Sequence, residues 1–329
     1  MNNGIRVRQI KFEGLMKKGE NEKNWEMLCC SNKPLVPFIG AGISAWCYPT
    51  WNALLKEVVE ENFPEKCADV VTRALDCKEK PVFDSDEEKN EEIQKNFYWM
   101  EEIAECIFDD DEKSYRKNKK KFRLSLDVKK NDANAVCQQL RDFVGNEGIN
   151  TKRDAVKALY AAFDVAIAKE SGKIPEYQKL FPKLFSGILV TTNYDKALEN
   201  SYPSIFSYSY KDLNRKYNPK KNSWLFRAVQ AKLSQMQREL DGQDNIKTDV
   251  SIPDIPMLLK VHGSIEQANS VALSRANYDE AYGGEMPALF EEIYKNSTLI
   301  FMGCSLCEDR ILDTVSGDWA GHSVCPCVP

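Results

Sequence analysis

Four apolar runs, each ending abruptly in a small or polar cluster, constrain the fold of this chain more than any other feature. Leu35-Val36-Pro37-Phe38-Ile39 stops at Gly40-Ala41-Gly42-Ile43-Ser44, and Gly187-Ile188-Leu189-Val190-Thr191-Thr192 stops at Asn193-Tyr194-Asp195. Met257-Leu258-Leu259-Lys260-Val261 stops at His262-Gly263-Ser264, and Thr298-Leu299-Ile300-Phe301-Met302 stops at Gly303-Cys304-Ser305. Short apolar runs bounded by turn residues read as buried strands. Strands that end in turns of this kind are the pattern of an open parallel sheet, in which ligands bind beyond the carboxyl ends of the strands. The expected fold is therefore α/β, a Rossmann-like parallel sheet with helices on both faces.

The remaining segments supply helices and an interruption. Thr50 can cap a helix whose apolar residues Leu54, Leu55, Val58, Val59 and Phe63 fall at helical spacing. A second helix is expected over Trp224 to Leu240. From about 52 to 182 the texture changes: charge runs such as Asp109-Asp110-Asp111-Glu112 and Lys119-Lys120-Lys121 separate helix-period segments, for example Val156, Leu159, Tyr160, Phe163 and Ile167. The expected organisation is a core of residues 1–51 and 183–329 interrupted by a large helical insertion subdomain, 52–182. Residues 1 to 28 form a charged lead, expected to pack peripherally.

Composition narrows the function classes. Hydrophobic residues make up 43% of 329 residues, enough for a packed core and too many for a disordered chain. Lys plus Arg is 45 against 50 Asp plus Glu, a net charge of -5, so nothing favours non-specific attraction to phosphate backbones and no nucleic-acid partner is expected. The basic run Lys117 to Arg123 sits beside an acidic run and reads as a solvated face. No long uncharged apolar stretch occurs, and the start, Met1-Asn2-Asn3-Gly4-Ile5-Arg6, lacks a basic-then-apolar layout, so a cytoplasmic location and no membrane contact are expected. Eleven cysteines spread through a chain with its own core are expected as reduced, mostly buried thiols.

Several residues can carry chemistry. Gly40-x-Gly42-x-x-Ala45 after a strand fits a dinucleotide fingerprint, in which glycines let a pyrophosphate approach the backbone. The acidic residue usual about 20 positions later is missing, because Glu57 and Glu60 lie on the expected helix, which disfavours an ordinary dehydrogenase. A glycine turn without a ligand remains the alternative. Asn193 presents a carboxamide that can donate and accept at once, suited to a ribose hydroxyl and a water, whereas the plainer reading has Asn193 and Asp195 capping the next helix. The chain has only two histidines; His262, at a strand end before a glycine, is a candidate general base, with a structural role the alternative. His322 is assigned nothing. Cys304-x-x-Cys307 overlaps the turn after a strand and Cys325-x-Cys327 has irregular spacing for zinc, so no metal is expected. A Cys–His nucleophile is open on composition, but no single cysteine stands out.

Taken in order, Phe38-Ile39-Gly40-Ala41-Gly42-Ile43-Ser44, Pro49-Thr50-Trp51, Thr191-Thr192-Asn193-Tyr194-Asp195, Val261-His262-Gly263-Ser264-Ile265 and Gly303-Cys304-Ser305-Leu306 resemble the sirtuin superfamily. The resemblance is closest to the sirtuin-like NAD-hydrolase domains of bacterial anti-phage defence systems, through the Pro-Thr-Trp, the Asn-Tyr-Asp, Leu273-Ser274-Arg275-Ala276-Asn277-Tyr278, and Asp309 after Ser305. It covers about 35 to 60 and 185 to 313. It implies NAD as substrate, with Gly40, Ala41, Gly42 and Ser44 cradling phosphates and Gly303 and Ser305 contacting the adenosine-side ribose. It further implies Asn193 and His262 as the catalytic pair, with Asp195 nearby among the NAD-binding residues.

The implied activity is cleavage of NAD to nicotinamide and ADP-ribose, depleting NAD in a triggered anti-phage response. The resemblance also implies a homo-oligomer, a sensor or effector protein partner, or both. Two departures weigh against peptide deacylation: the four-cysteine zinc module of deacylases is missing, and the glycine turn runs into Ala45-Trp46-Cys47-Tyr48-Pro49. The rivals are an NAD-dependent deacylase or ADP-ribosyltransferase, and a non-catalytic module that binds NAD or ADP-ribose and regulates a partner. Beyond Leu312-Asp313 the resemblance leads one to expect more α/β structure or an effector region, where this sequence has a Cys- and Pro-containing tail.

Overall fold

The computed structural model describes residues 30–46, 48, 50–62, 174–214, 223–242, 255–267, 270–304 and 325–326, with isolated positions between 23 and 28 and between 69 and 104. Most of the segment read as an insertion, and therefore its charge runs and helix-period residues, lies outside the described residues.

The four apolar runs are strands. They form β1 (Leu35–Ile39), β2 (Ile188–Thr191), β4 (Met257–Lys260) and β5 (Thr298–Met302), joined by two strands the sequence did not announce, β3 (Phe206–Ser209) and β6 (Cys325–Pro326). The six lie in the order β3-β4-β2-β1-β5-β6, and every neighbouring pair is parallel. Parallel strands are buried on both faces, which explains why β2 and β4 are apolar almost without alternation and buried at every residue. β3 is an edge strand, and its Phe-Ser-Tyr-Ser sequence is exposed over its first half. Pro37 stands in a central strand, where a missing N–H is normally costly. Pairing of β1 with β2 begins one residue later, at Phe38 opposite Val190.

Side-chain alternation divides the core into two layers. Val36 and Phe38, Ile188 and Val190, Met257 and Leu259, and Leu299 and Phe301 point to one face. That face is covered by α5 (Trp224–Leu240), α6 (Arg275–Ala281) and α7 (Met286–Asn296), through Phe226, Val229, Leu233, Tyr278, Leu289, Phe290 and Ile293. Ile39, Leu189, Leu258 and Ile300 point to the other, where they meet Phe181, Phe185, Leu198 and Tyr202. Phe181 belongs to α3 (Phe181–Leu184), which follows α2 (Glu176–Lys179). Each such side chain removed from water contributes roughly 1.5–3 kcal/mol. Two full layers on a sheet therefore outweigh local propensity in setting the strand register.

Two of the helices begin at a side-chain cap. Thr50 precedes α1 (Trp51–Asn62), and its Oγ1 accepts from the Ala53 amide at 3.4 Å. Ser223 caps α5 by accepting from Phe226 N at 3.1 Å. A short helix, α4 (Tyr210–Asn214), links β3 toward α5. Among the described residues no helix is long and apolar enough to cross a membrane.

The strand order fixes where a ligand can sit. After β1 the chain moves to β2 on one side, whereas β5 and β6 lie on the other side of β1. The direction of winding thus reverses between β1 and β5, and the crevice beyond the carboxyl ends of those two strands is the position at which open α/β sheets bind ligands.

Candidate active site

The turns after β1 and β5 meet at this reversal. Ile39 pairs with Met302, and the Gly40 amide continues the ladder by donating to Met302 O at 2.9 Å. The Gly42 amide donates to Gly303 O at 2.9 Å. Contact this close leaves no room for side chains: a Cβ on Gly40 would lie 2.5 Å from Gly303 O, and one on Gly42 would lie 2.9 Å from it. Gly303 also has φ +65°, in the left-handed region, with the Ile43 amide 2.6 Å from where its Cβ would be. These glycines are required by the packing of one turn on another. Ala41–Ile43 forms a 3-10 turn in which Ile43 N donates to Gly40 O and Ser44 N to Ala41 O. The amides of Gly40, Gly42, Ile43 and Ser44 are therefore engaged within the protein. Ser305 lies outside the described residues.

Asn193 follows β2 by two residues and is 6% exposed. Its Nδ2 donates to Gly40 O at 3.2 Å and to Ser44 Oγ at 3.1 Å. A carbonyl can only accept, so Gly40 O fixes which end of the carboxamide faces the glycine turn. The other end, Oδ1, is buried and has no hydrogen-bond partner among the described residues. An unpaired buried acceptor costs about 1–3 kcal/mol, enough to demand a role. Two further orphaned buried atoms, Trp51 Nε1 and Asn52 Oδ1, stand at the start of α1, and the Trp51 ring packs edge-on to Tyr194 at 5.9 Å. A ligand rich in hydroxyls, such as a ribose, carries the donors that Asn193 Oδ1 lacks.

Ser44 links Asn193 to Asp195. Its hydroxyl donates to Asp195 Oδ2 at 2.7 Å, while Asp195 Oδ1 accepts from the Ala197 amide at 2.8 Å. Asp195 thus closes a local turn, as a capping residue would, and no α-helix starts there. Burial raises its carboxyl above the ordinary 3.8, opposed by the Lys260 charge, the Ala197 amide and the Ser44 hydroxyl. Lys260, the last residue of β4, is 1% exposed. Its ammonium donates to Tyr194 O at 3.3 Å, to Asp195 O, and to Glu199 Oε1 at 2.8 Å. The loop that carries Asn193 and Asp195 is thereby tied to the strand that carries His262.

His262 stands two residues beyond β4, whose Lys260 pairs with Thr191 of β2, so Asn193 and His262 leave the same edge of adjacent strands. The histidine is 7% exposed. Gly263 has φ +91° and turns the chain so that the Ala272 amide reaches His262 O at 2.8 Å. Three tyrosines surround the imidazole: Tyr278 edge-on at 4.8 Å, Tyr282 edge-on at 5.7 Å and Tyr194 at 6.5 Å. Tyr282 Oη lies 2.6 Å from His262 Nε2. Tyr278 Oη and Tyr194 Oη are 3.3 Å apart, and Tyr194 Oη donates to Ala272 O at 2.5 Å. Burial first, and then Tyr194 and Glu101, hold the Tyr278 hydroxyl well above its usual range, so it stays protonated.

The placement of these tyrosines begins with a cap. Ser274 accepts from Asn277 N while the Asn277 side chain accepts from Ser274 N, a reciprocal box that starts α6. Tyr278 and Tyr282, four apart, then share the helix face that meets His262.

The structure therefore brings Gly40, Ala41, Gly42, Ser44, Asn193, Asp195, His262 and Gly303 to one edge of the sheet. Lys260, Glu199 and Tyr282 escaped sequence reasoning. Lys260 had a readable signal, a lysine inside the apolar run Met257 to Val261. Tyr282 had none, being twenty residues from the histidine it touches. Cys304 and Cys30 are free thiols, and among the described residues no group of His, Cys, Asp and Glu is placed to hold a metal. Cys307 lies outside those residues.

Residues 187–317 fit the model of the SIR2-like domain, a sirtuin-like domain of NAD-related function. The matched segment includes Asn193, Asp195, His262, Gly303 and Ser305. It leaves out Gly40 to Ser44, which the fold packs against Gly303 and Asn193. No curated protein matches the chain.

Proposed function

Starting from a chain that contains a SIR2-like domain, we propose that the protein hydrolyses NAD to nicotinamide and ADP-ribose. The observation that carries this reading is the Asn193 carboxamide. Its donor end is held by Gly40 and Ser44, and its acceptor end is buried without a partner among the described residues, at the strand edge shared with His262.

The chemistry suits these groups. Nicotinamide leaves a positively charged pyridinium as a neutral base, so cleavage of the glycosidic bond needs no general acid, and a pair of carboxylates is not required. The site has to stabilise an oxocarbenium-like ribose and place a nucleophilic water on its open face. Asn193 Oδ1 accepts from a ribose hydroxyl or from that water, and His262 takes up the proton. Gly40, Ala41, Gly42 and Ser44 line the phosphate side of the crevice, and Gly303 with Ser305 lines the adenosine-side ribose. Asp195 acts through Ser44, holding it where it orients the carboxamide.

The same reading makes this a cytoplasmic enzyme that depletes NAD in a triggered anti-phage response, as a homo-oligomer or with a sensor or effector partner. Sizing chromatography across protein concentrations tests the assembly; a monomer throughout removes the homo-oligomer. The activity is tested by nicotinamide release from NAD with NAD binding measured alongside. Asn193→Ala and His262→Ala are each expected to lower turnover by roughly 10²- to 10⁴-fold while NAD still binds. Binding and turnover lost in equal measure would refute these roles, and transfer of ADP-ribose or an acyl group to an acceptor would replace the hydrolase reading.

A further inference from the structure

Resting on that reading of the site, we infer that Tyr282 is a further catalytic residue, which relays the proton between the attacking water and His262. The hydrogen bond between Tyr282 Oη and His262 Nε2 is 2.6 Å long. A tyrosine hydroxyl can donate to an imidazole nitrogen that carries a lone pair, and which atom donates is set by the histidine tautomer. The relay takes the tyrosine hydroxyl as donor to the imidazole nitrogen, with the lone pair on Nε2 and the ring proton on Nδ1.

This assignment has a chemical consequence. The lone pair that would accept a proton already faces the Tyr282 hydroxyl, so the proton of the attacking water reaches Nε2 through that oxygen. Burial ranks the two groups in the same sense: His262 is 7% exposed and belongs to the interior, whereas Tyr282 is only half-buried. Tyr282 is also held in place. Its ring stacks on Tyr278 at 6.4 Å and on Phe290 at 6.4 Å, with interplanar angles of 8° and 25°.

In the relay, an O–H bond of the attacking water breaks and its proton bonds to Tyr282 Oη. The proton that Tyr282 carried moves onto His262 Nε2. The water oxygen keeps the electron pair and adds to the ribose carbon that nicotinamide leaves, and His262 ends as imidazolium. No oxidant or reductant takes part.

Two measurements on the whole protein test this. With only two histidines in the chain, ring-¹⁵N-histidine labelling gives two sets of signals, and His322→Asn assigns them. His262 is expected as the Nδ1–H tautomer in the parent. Tyr282→Phe, which keeps the stacked ring, is expected to lower kcat for nicotinamide release by roughly 10²-fold or more with KM changed less than about threefold and NAD still bound. An Nε2–H tautomer in the parent overturns the relay, as does a Tyr282→Phe variant with parental or raised kcat; both leave the hydrolase reading standing. Failure of that reading is seen separately, as a parent protein that releases no nicotinamide.

Discussion

Replacing Lys260 with methionine isolates the ionic tie beneath the site. Lys260 is 1% exposed, and its ammonium is held by Glu199 Oε1 at 2.8 Å and by the carbonyls of Tyr194 and Asp195. Glu199 Oε1 also accepts from Ser207 Oγ at 3.1 Å, but Glu199 Oε2 is buried with no partner among the described residues. Methionine preserves the length of the side chain and removes the charge, leaving the partly buried Glu199 carboxylate with only the Ser207 hydroxyl, and the Asp195 carbonyl without this donor, while Tyr194 O keeps the Ile265 amide. Breaking a buried pair from one side costs about 3–5 kcal/mol, because the surviving ion loses both water and partner. Lys260→Met is therefore expected to lower the unfolding free energy by that amount, measured by urea denaturation at neutral pH with the slope unchanged. Adding Glu199→Leu removes the stranded charge, and the double variant is expected to recover to within about 1–2 kcal/mol of the parent, since apolar replacement of a buried pair is often near neutral. The cycle then shows a strong coupling between the two positions. A loss below about 1 kcal/mol for Lys260→Met, or strictly additive effects in the double variant, would refute the account of Lys260 as a charge stabilised by Glu199.

Other perturbations test the neighbouring parts. Gly303→Ala places a side chain at φ +65°, with its Cβ 2.6 Å from the Ile43 amide, and is expected to destabilise by at least the ~1–2 kcal/mol of a left-handed non-glycine residue; unchanged thermal stability would contradict the close contact of the two turns. Asp195 has a folded pKa raised above its ordinary value, so between the two values the folded state binds more protons than the unfolded one. Its contribution to stability is greatest at low pH and declines as pH rises toward the folded pKa. Asp195→Asn is expected to flatten the fall in unfolding free energy above about pH 3.8, and an unchanged pH slope would show that burial does not dominate at this carboxyl.

The periodicity of the chain carried much of this architecture. Leu35–Ile39, Thr298–Met302 and Trp224–Leu240 have the limits that their apolar patterns imply, because a fully buried strand or an amphipathic helix writes its environment into its own residues. β2 and β4 each stop slightly inside their apolar runs. β3 was not legible for a related reason: an edge strand pairs on one side only, and Phe206-Ser207-Tyr208-Ser209 lacks the continuous apolar run of its buried neighbours. β6, two residues long, is held by register with Ile300 and Phe301 and by no pattern of its own. The helix-period residues of the segment 52–182 fall largely outside the described residues, and the division into core and insertion remains an expectation from sequence texture.

By itself the sequence determined the local facts: which segments bury both faces, where each strand must stop, and which polar residues stand immediately after it. Asn193, His262 and the glycines were visible because their position after an apolar run is a one-dimensional property. Only the tertiary structure decided what those residues touch. That Gly303 leaves no space for a side chain at Gly40, that Ser44 and Gly40 turn the Asn193 carboxamide, that Lys260 answers Glu199, and that Tyr282 meets Nε2 of His262 all depend on strand order and register. A local pattern encodes which way a side chain faces, whereas its partner is set by the energy of the whole packed sheet, which no single segment contains.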